Sequence, residues 1–247
     1  MASSDDKKLL GKVALITGGS RGIGRAMARA FTQAGAQVFI CGRNRADIDS
    51  VLSEIGSRGG VIDGVAGNIA QLADVEGIVQ AAVQRFGTID VLVNNASVLG
   101  PRTAIADYPV GAWQEVIDIN LNGVFMMTHE VLPIMLVRQR GSIINLTSGV
   151  GRVGKARWGA YAVSKAGLEG FTQVLADELK ETAIRVNSVN PAATRTEMRA
   201  MAYPAEDPAT LPAPEDVVPI FLYLASDDSI SMTGNSLNAR DWQNLNG

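Results

Sequence analysis

A tyrosine and a lysine stand four residues apart, at Tyr161 and Lys165. The apolar spacing over 160–179 predicts a helix, which would place the phenol and the ammonium group on one face. A phenol alone titrates at about pH 10, and a nearby positive charge favours its ionised form, so the pair predicts a general acid/base catalyst. Because Tyr-x-x-x-Lys also occurs by chance on solvated helix faces, the rest of the chain must supply its context.

A serine precedes this pair at the end of an apolar run. The run at 142–147 predicts a buried strand, and Ser148 follows it directly. The carboxyl ends of strands are where α/β sheets place their ligands, so we expect Ser148 and Tyr161 to share a site.

A glycine-rich turn lies near the start of the chain. It contains Gly18, Gly22 and Gly24, between an apolar run at 12–17 and a helical pattern at 25–35, and a second apolar run follows at 36–41. Glycines here allow a tight turn and close approach to a phosphate, while the helix N-terminus offers free N–H groups. The complete strand, turn, helix and strand unit predicts a dinucleotide site.

The residues after the second run predict which dinucleotide binds. This position carries Gly42-Arg43-Asn44-Arg45 and no carboxylate, and Arg21 adds a cation in the glycine turn. An arginine accommodates the 2′-phosphate of NADP, whereas an acidic residue would bind the ribose of NAD. We therefore expect NADP(H) to be preferred over NAD(H), with the alternative that Arg43 only begins a solvated helix.

The composition restricts the classes of function. The 247 residues are 47% hydrophobic and carry a net charge of 22 minus 25, or -3, with no long basic run, which argues against a nucleic-acid partner. One cysteine, Cys41, and one histidine, His129, leave no disulfide and no usual zinc pattern, so we expect no metal. No apolar stretch is long enough for a membrane span, and we expect a cytoplasmic protein with small-molecule partners.

Strands and helices alternate along the chain. Further strands are predicted at 61–66, 89–93, 184–189 and 236–238, and helices at 47–57, 72–86, 113–137 and 215–225. This alternation predicts a single α/β domain over 9–247, a Rossmann-like doubly wound parallel sheet with helices on both faces, after a flexible N-terminus at 1–8. The helix at 113–137 is apolar on nearly all sides, and Pro133 should kink it, so we expect it to contribute to a subunit interface.

Motifs along nearly the whole chain resemble the short-chain dehydrogenase/reductase family, including its 3-oxoacyl-[acyl-carrier-protein] reductases. They are Thr17 to Gly24, Asn94-Asn95-Ala96, Asn120, Ser148, Tyr161 with Lys165, and Asn190 to Thr196. The resemblance implies a catalytic set in which Tyr161 is the acid/base, Lys165 lowers its pKa and holds the nicotinamide ribose, Ser148 bonds the substrate carbonyl, and Asn120 supports a water-linked proton relay. It also implies a homo-oligomer, either a dimer or a homotetramer.

The resemblance and the residue types together give the expected contacts. The cofactor contacts are Gly18, Ser20, Arg21, Gly22, Ile23, Gly24, Arg43, Asn44, Asn68, Ile69, Asn95, Ala96, Ser97, Tyr161, Lys165, Pro191, Ala192, Thr194 and Thr196. The apolar substrate pocket is Val98, Leu99, Val150, Val153, Trp158, Met198 and Met201, which suits a ketone or a 3-oxoacyl chain. The cations Arg102, Arg152, Lys155 and Arg157 either attract an acyl carrier protein or a coenzyme A thioester or only keep the surface soluble.

The chain departs from the family pattern at four places. Ser97 and Ala192 stand where the family has glycine, and Ala192 puts the backbone beside the nicotinamide in question. The segment 197–214, which covers substrate in the family, is short and rich in proline, and the tail after Leu237 lacks the usual Asp-Gly-Gly.

Other functions remain as alternatives. Gly18-x-Ser20-x-Gly22 also matches the nucleophile turn of serine hydrolases, but no histidine follows His129 to act as a base. A non-catalytic NADP-binding regulator would need none of the catalytic set. An alcohol, sugar or steroid dehydrogenase working in the oxidative direction would use the same residues.

Overall fold

The computed structural model describes the backbone of residues 7–246 and the side chains of residues 7–242. Residues 1–6 of the predicted flexible N-terminus therefore lie outside the described residues. Lys7 and Lys8 belong to a short turn that leads to Leu9, whose side chain is fully buried.

Seven parallel strands form one sheet with the order β3-β2-β1-β4-β5-β6-β7. In chain order they are β1 Val13–Thr17, β2 Gln37–Gly42, β3 Ile62–Ala66, β4 Val91–Asn94, β5 Arg140–Leu146, β6 Ala183–Asn190 and β7 Ser236–Asn238. The predicted doubly wound parallel sheet is confirmed, and so is its short last strand. Because β4 pairs with β1, the strand order reverses beside β1, where such folds bind their ligands.

Helices cover both faces of the sheet. They are α1 Gly22–Gln33, α2 Arg45–Gly56, α3 Leu72–Phe86, α4 Val110–Ile117, α5 Gly123–Arg138, α6 Gly149–Arg152, α7 Gly159–Glu178, α8 Glu197–Ala202, α9 Val218–Ala225 and α10 Ala239–Asn246. Short 3₁₀ turns lie at Ile105–Asp107, Pro208–Thr210, Pro214–Val217 and Asp227–Ser229. None of the helices in the described part of the chain could span a membrane.

The core lies on the two faces of the sheet, and β1 serves both. Ala14 and Ile16 pack on one face with Phe31 of α1 and Phe221 of α9, whereas Leu15 packs on the other face with the helices α3, α5 and α7. All of β1 is buried, because helices cover both faces and adjacent side chains of a strand point in opposite directions.

Two predicted helices differ from the structure. The helix expected at 113–137 begins at Val110 and includes a π-helical turn, Asp118–Asn122, between α4 and α5. The helix expected at 215–225 begins with a 3₁₀ turn and becomes α-helical only at Val218. Both differences lie in the backbone hydrogen-bond pattern, which apolar spacing does not report.

Candidate active site

A cleft of about 800 Å³ opens at the carboxyl ends of β1, β4, β5 and β6. Its walls include Ser148, Tyr161 and Lys165, together with the glycine turn after β1. The predicted cofactor residues in its wall are Gly18, Ser20, Arg21, Gly22, Ile23, Arg43, Asn44, Asn68, Ile69, Asn95, Ala96, Ser97, Tyr161, Lys165, Pro191, Ala192, Thr194 and Thr196. The proposed acid/base and the proposed phosphate site therefore share one cleft.

The glycine turn is shaped to let a ligand approach the backbone. Gly18 and Gly22 have φ angles of +65° and +52°, which side chains other than glycine rarely adopt. A Cβ at Gly24 would lie 2.1 Å from the carbonyl oxygen of Gly18, so Gly24 allows α1 to pack against the turn and does not itself line the cleft. Arg21 gives α1 no side-chain cap, which leaves its first N–H groups for a ligand. This geometry fits a dinucleotide pyrophosphate.

Asn95 holds the ends of β1 and β4 together beside the turn. Its side-chain amide donates hydrogen bonds to the carbonyl oxygens of Thr17 and Gly18, at 2.8 and 3.0 Å. In return, Thr17 Oγ1 accepts hydrogen bonds from the backbone N–H groups of Asn95 and Ala96, both at 3.0 Å. The amide therefore keeps the glycine turn in place.

Two arginines lie at the end of the cleft next to β2, and each faces a carboxylate. Arg43 lies 3.7 Å from Glu115, and Arg21 lies 3.1 Å from Glu197 of α8; all four side chains are more than half exposed. Asn44 caps α2, since its Oδ1 accepts hydrogen bonds from the backbone N–H groups of Ala46 and Asp47, at 2.9 and 3.3 Å. The helix α2 thus begins at Arg45, after Arg43, and both Arg21 and Arg43 line the cleft.

The phenol of Tyr161 is buried beside Ser148. Burial raises the pKa of Tyr161 to about 12, and the Ser148 hydroxyl opposes this change by hydrogen bonding. The direction is opposite to the one expected from the charge of Lys165, whose Nζ lies 5.7 Å from the centre of the Tyr161 ring. The phenol thus keeps its proton at neutral pH, which is the form that a general acid needs.

Lys165 is also buried. Its Nζ donates a hydrogen bond of 2.7 Å to the carbonyl oxygen of Leu146 at the end of β5, which orients the side chain along the cleft. Burial lowers the pKa of Lys165 to about 8, and the negative charge of Glu169 partly opposes it. Lys165 therefore loses its charge at a lower pH than an exposed lysine does.

Asn120 lies in the π-helical turn and is fully buried. Its Oδ1 accepts a hydrogen bond from the backbone N–H of Val98, at 2.8 Å, while its Nδ2 donates to the carbonyl of Val98, at 2.9 Å, and to Ser164 Oγ, at 3.2 Å. The side chain thus joins the segment after β4 to α7. It does not line the cleft, and its role in a water-linked proton relay to Lys165 stays a prediction.

Comparison with known proteins agrees with this geometry. The family model described as short chain dehydrogenase matches residues 12–207. The chain belongs to this oxidoreductase family. It is 38% identical over 238 residues to an uncharacterized oxidoreductase, YciK, of Escherichia coli, covering 93% of this chain and 92% of that protein. It is 37% identical over 235 residues to a 3-oxoacyl-[acyl-carrier-protein] reductase of Thermotoga maritima, covering 92% and 95%.

A solved structure shows the same fold. It is a short chain dehydrogenase from Shigella flexneri, complexed with NADP, with a TM-score of 0.91, 38% identity, and coverage of 95% of this chain and 99% of that one.

Ala192, where the family pattern expects glycine, keeps a left-handed backbone. Its φ is +62°, and its N–H donates a hydrogen bond of 3.0 Å to Asn190 Oδ1. Beyond it, Thr196 Oγ1 accepts a hydrogen bond of 3.2 Å from the N–H of Arg199 and begins α8. The turn after β6 thus places an alanine in the left-handed region, which strains its backbone.

Relieving this strain should stabilise the protein. We expect Ala192→Gly to raise the free energy of unfolding by about 0.5–1 kcal/mol, because glycine adopts a positive φ without the clash of a Cβ. Urea denaturation measures the change. The matched control, Ala200→Gly in the exposed part of α8, should instead lower it by up to about 1 kcal/mol. A loss of stability in Ala192→Gly would contradict the strain.

The substrate wall is partly as predicted. Apolar side chains line it, namely Val98, Leu99, Trp158, Met198, Met201 and Ala202. Two predicted members lie elsewhere. Val153 is 76% exposed in the loop after α6, and Val150 packs against the aromatic cluster around Trp158 without lining the cleft. Neither of these two lies in the wall of the cleft, so their contact with a substrate stays a prediction.

Two of the four predicted surface cations make contacts with other side chains of the protein. The Arg102 guanidinium lies over the rings of both Trp158 and Tyr203, 4.5 and 4.7 Å from their centres, and it donates to the carbonyl oxygen of Ala202 at the end of α8. Arg152 pairs with Glu169 at 3.0 Å. Arg102 thereby holds α8 against Trp158, a contact between distant segments that no sequence motif indicated.

Proposed function

We propose that this chain reduces an apolar ketone or 3-oxoacyl-type carbonyl to a secondary alcohol, with NADPH as the cofactor. The observation that carries the proposal is the phenol of Tyr161, buried beside Ser148 in the cleft that also contains the glycine turn. The choice of NADPH is supported by Arg21 and Arg43 in the cleft wall and by the NADP complex of the Shigella flexneri relative.

The chain's own residues would act on the carbonyl oxygen. NADPH, when bound, supplies the hydride. Ser148 and Tyr161 would donate hydrogen bonds to the oxygen as it gains negative charge, and Tyr161 would then transfer its proton to it. The ammonium group of Lys165 would stabilise the tyrosinate left behind. Tyr161 holds its proton at neutral pH, which is the form that this transfer requires.

The wall residues indicate the kind of substrate. Carbon-rich side chains of Leu99, Trp158 and Met198 suit an apolar group next to the carbonyl. With Arg102 and Arg152 engaged internally, Lys155 and Arg157 remain as the exposed members of the predicted basic set. We therefore place free ketones and small thioesters ahead of substrates that a carrier protein delivers.

A reductase screen tests this function. Purified protein is mixed with NADPH or NADH and a panel of cyclic ketones, diketones, sugars and acetoacetyl thioesters, and loss of reduced cofactor is followed by absorbance. We expect turnover of at least one apolar ketone or thioester, faster with NADPH. If the protein binds NADPH but reduces none of the panel, a non-catalytic NADP-binding protein would be the better description.

Arg43 gives a prediction about cofactor choice. We expect Arg43→Ser to raise the Kd for NADPH by about 10- to 100-fold, because a charge-assisted hydrogen bond to the 2′-phosphate is lost, and to leave the Kd for NADH nearly unchanged. Fluorescence titration measures both constants. Arg45→Ser is the control, since Arg45 is an exposed neighbour that pairs with Asp49 at 2.9 Å and does not line the cleft. An equal effect on both cofactors would count against a 2′-phosphate contact.

Assembly as a homodimer or homotetramer is part of the proposal. Large apolar side chains are exposed on α5 and α7, among them Phe125, Val163 and Val174 at 54%, 48% and 59%. Light scattering on the purified protein measures its mass in solution.

A further inference from the structure

A buried carboxylate lies one helical turn beyond Lys165. Glu169 is four residues further along α7 and only 8% exposed. Its Oε1 accepts a hydrogen bond from Arg152 Nε at 3.0 Å, and its Oε2 accepts from Ser188 Oγ at 2.6 Å and Ser236 Oγ at 2.7 Å. Residues at this spacing are neighbours on one face of a helix, so the carboxylate adjoins the lysine.

Arg152 extends the contact to the last strand. Its two Nη atoms donate to Asn238 Oδ1, at 2.6 Å, and to the carbonyl oxygen of Leu237, at 2.8 Å. The pair Arg152–Glu169 therefore joins α6, α7, β6 and β7. It fixes the position of α6, the short helix that begins directly after Ser148.

The turn that carries Ser148 packs closely against α7, the helix that carries Tyr161 and Lys165. A Cβ at Gly151 would lie 2.7 Å from both the carbonyl carbon and the Cβ of Lys165. Only glycine allows this approach, and Arg152 is the next residue along the chain. Arg152 is therefore placed to hold the Ser148 turn against α7 through its bond to Glu169.

The charges around Lys165 come from several elements. Tyr161 and Glu169 face it from its own helix, Arg152 lies on α6, and the Leu146 carbonyl approaches from β5. Burial raises the pKa of Glu169, but hydrogen bonds from Ser188, Ser236 and Arg152 outweigh it, so the net pKa lies below the usual value. Glu169 is therefore an anion at neutral pH, next to a lysine that burial would otherwise discharge.

We propose that Glu169 and Arg152 are positioning residues of the reductase site. Glu169 keeps Lys165 in its ammonium form, and Arg152 moderates that effect by sharing the carboxylate while it holds the Ser148 turn against α7. The role in turnover rests on the function proposed above, whereas the effect on Lys165 can be read from cofactor binding alone.

The test uses the pH dependence of cofactor binding. The Kd for NADPH is measured by fluorescence from about pH 6 to about pH 10, a range that includes the ordinary and the lowered pKa of lysine. Wild-type affinity should weaken above the pH at which Lys165 loses its proton. In Glu169→Gln this midpoint should fall by about one pH unit, because a nearby negative charge is lost.

Arg152→Gln should move the midpoint in the opposite direction. It removes a positive charge and leaves the carboxylate free to act on Lys165, so the midpoint should rise. The matched control is Glu178→Gln, which removes an exposed carboxylate near the end of the same helix. Because Glu178 lies about 20 Å from Lys165 at the usual helical rise, this variant should not move the midpoint. Reductase kcat/KM should follow the same order of midpoints.

Midpoint shifts in opposite directions distinguish this proposal from a general loosening of the site in both variants. If both variants left the midpoint unchanged, or moved it in the same direction, the proposal would be wrong. Should Glu169→Gln fail to fold, as a thermal melt would reveal, an unchanged midpoint in Arg152→Gln alone would overturn it. Shifted NADPH midpoints in a protein that reduces no ketone would instead refute the proposed function and leave this inference standing.

Discussion

Replacing Tyr161 with phenylalanine is expected to lower kcat for ketone reduction by about 10³-fold. The variant keeps the buried ring and loses only the hydroxyl, so the carbonyl oxygen would have no proton donor at that position. The Kd for NADPH should change little. Single-turnover absorbance measurements with saturating NADPH give the rate, and fluorescence titration gives the Kd.

The control for this variant is Tyr108→Phe. Tyr108 is buried in the same aromatic cluster, but it does not line the cleft and its hydroxyl has no side-chain partner. It should retain nearly full activity. A Tyr161→Phe enzyme as active as the Tyr108→Phe enzyme would show that another group supplies the proton.

The second large effect concerns Lys165 and pH. Burial lowers the pKa of Lys165 to about 8, so the side chain carries its charge below that pH and loses it above. The kcat/KM for reduction should therefore fall as pH rises through about 8, while Tyr161, with a pKa of about 12, stays protonated and adds no limb to the profile. Lys165→Met should lower kcat/KM by about 100-fold and remove this limb.

Lys165→Arg is the matched comparison. Arginine keeps its charge throughout the range, so the variant should show no fall above pH 8 even if its rate is reduced. Initial rates at saturating NADPH across the pH range measure all three profiles. A wild-type profile without an alkaline limb, or a limb that persists in Lys165→Arg, would contradict the assignment.

Parts of the site that are continuous in the chain could be predicted. The glycine turn, its flanking strands and helix, and the Tyr161–Lys165 spacing all depend on neighbours within a few residues, and their patterns specify local geometry. The alternation of strands and helices likewise predicted the parallel sheet, because crossover connections leave few topologies.

Features that depend on burial or on distant contacts could not be predicted. The spacing of Tyr161 and Lys165 shows a charge nearby but not how much water is excluded, and the predicted direction of the tyrosine pKa was therefore wrong. Arg152 precedes Glu169 by 17 residues and shares no motif with it. Glu169 itself could have been noticed, since it repeats the four-residue spacing of Tyr161 and Lys165.

The close packing of Gly151 against Lys165 limits which residues can be changed to alter the substrate selectivity of this enzyme. Any side chain at 151 would push the Ser148 turn off the catalytic helix, whereas residues 153–157 are exposed and bear no such constraint. A mutant library aimed at different ketones should therefore diversify Met198 and Met201, which line the cleft, while leaving 148–152 intact. Selectivity can then change without loss of the chemistry.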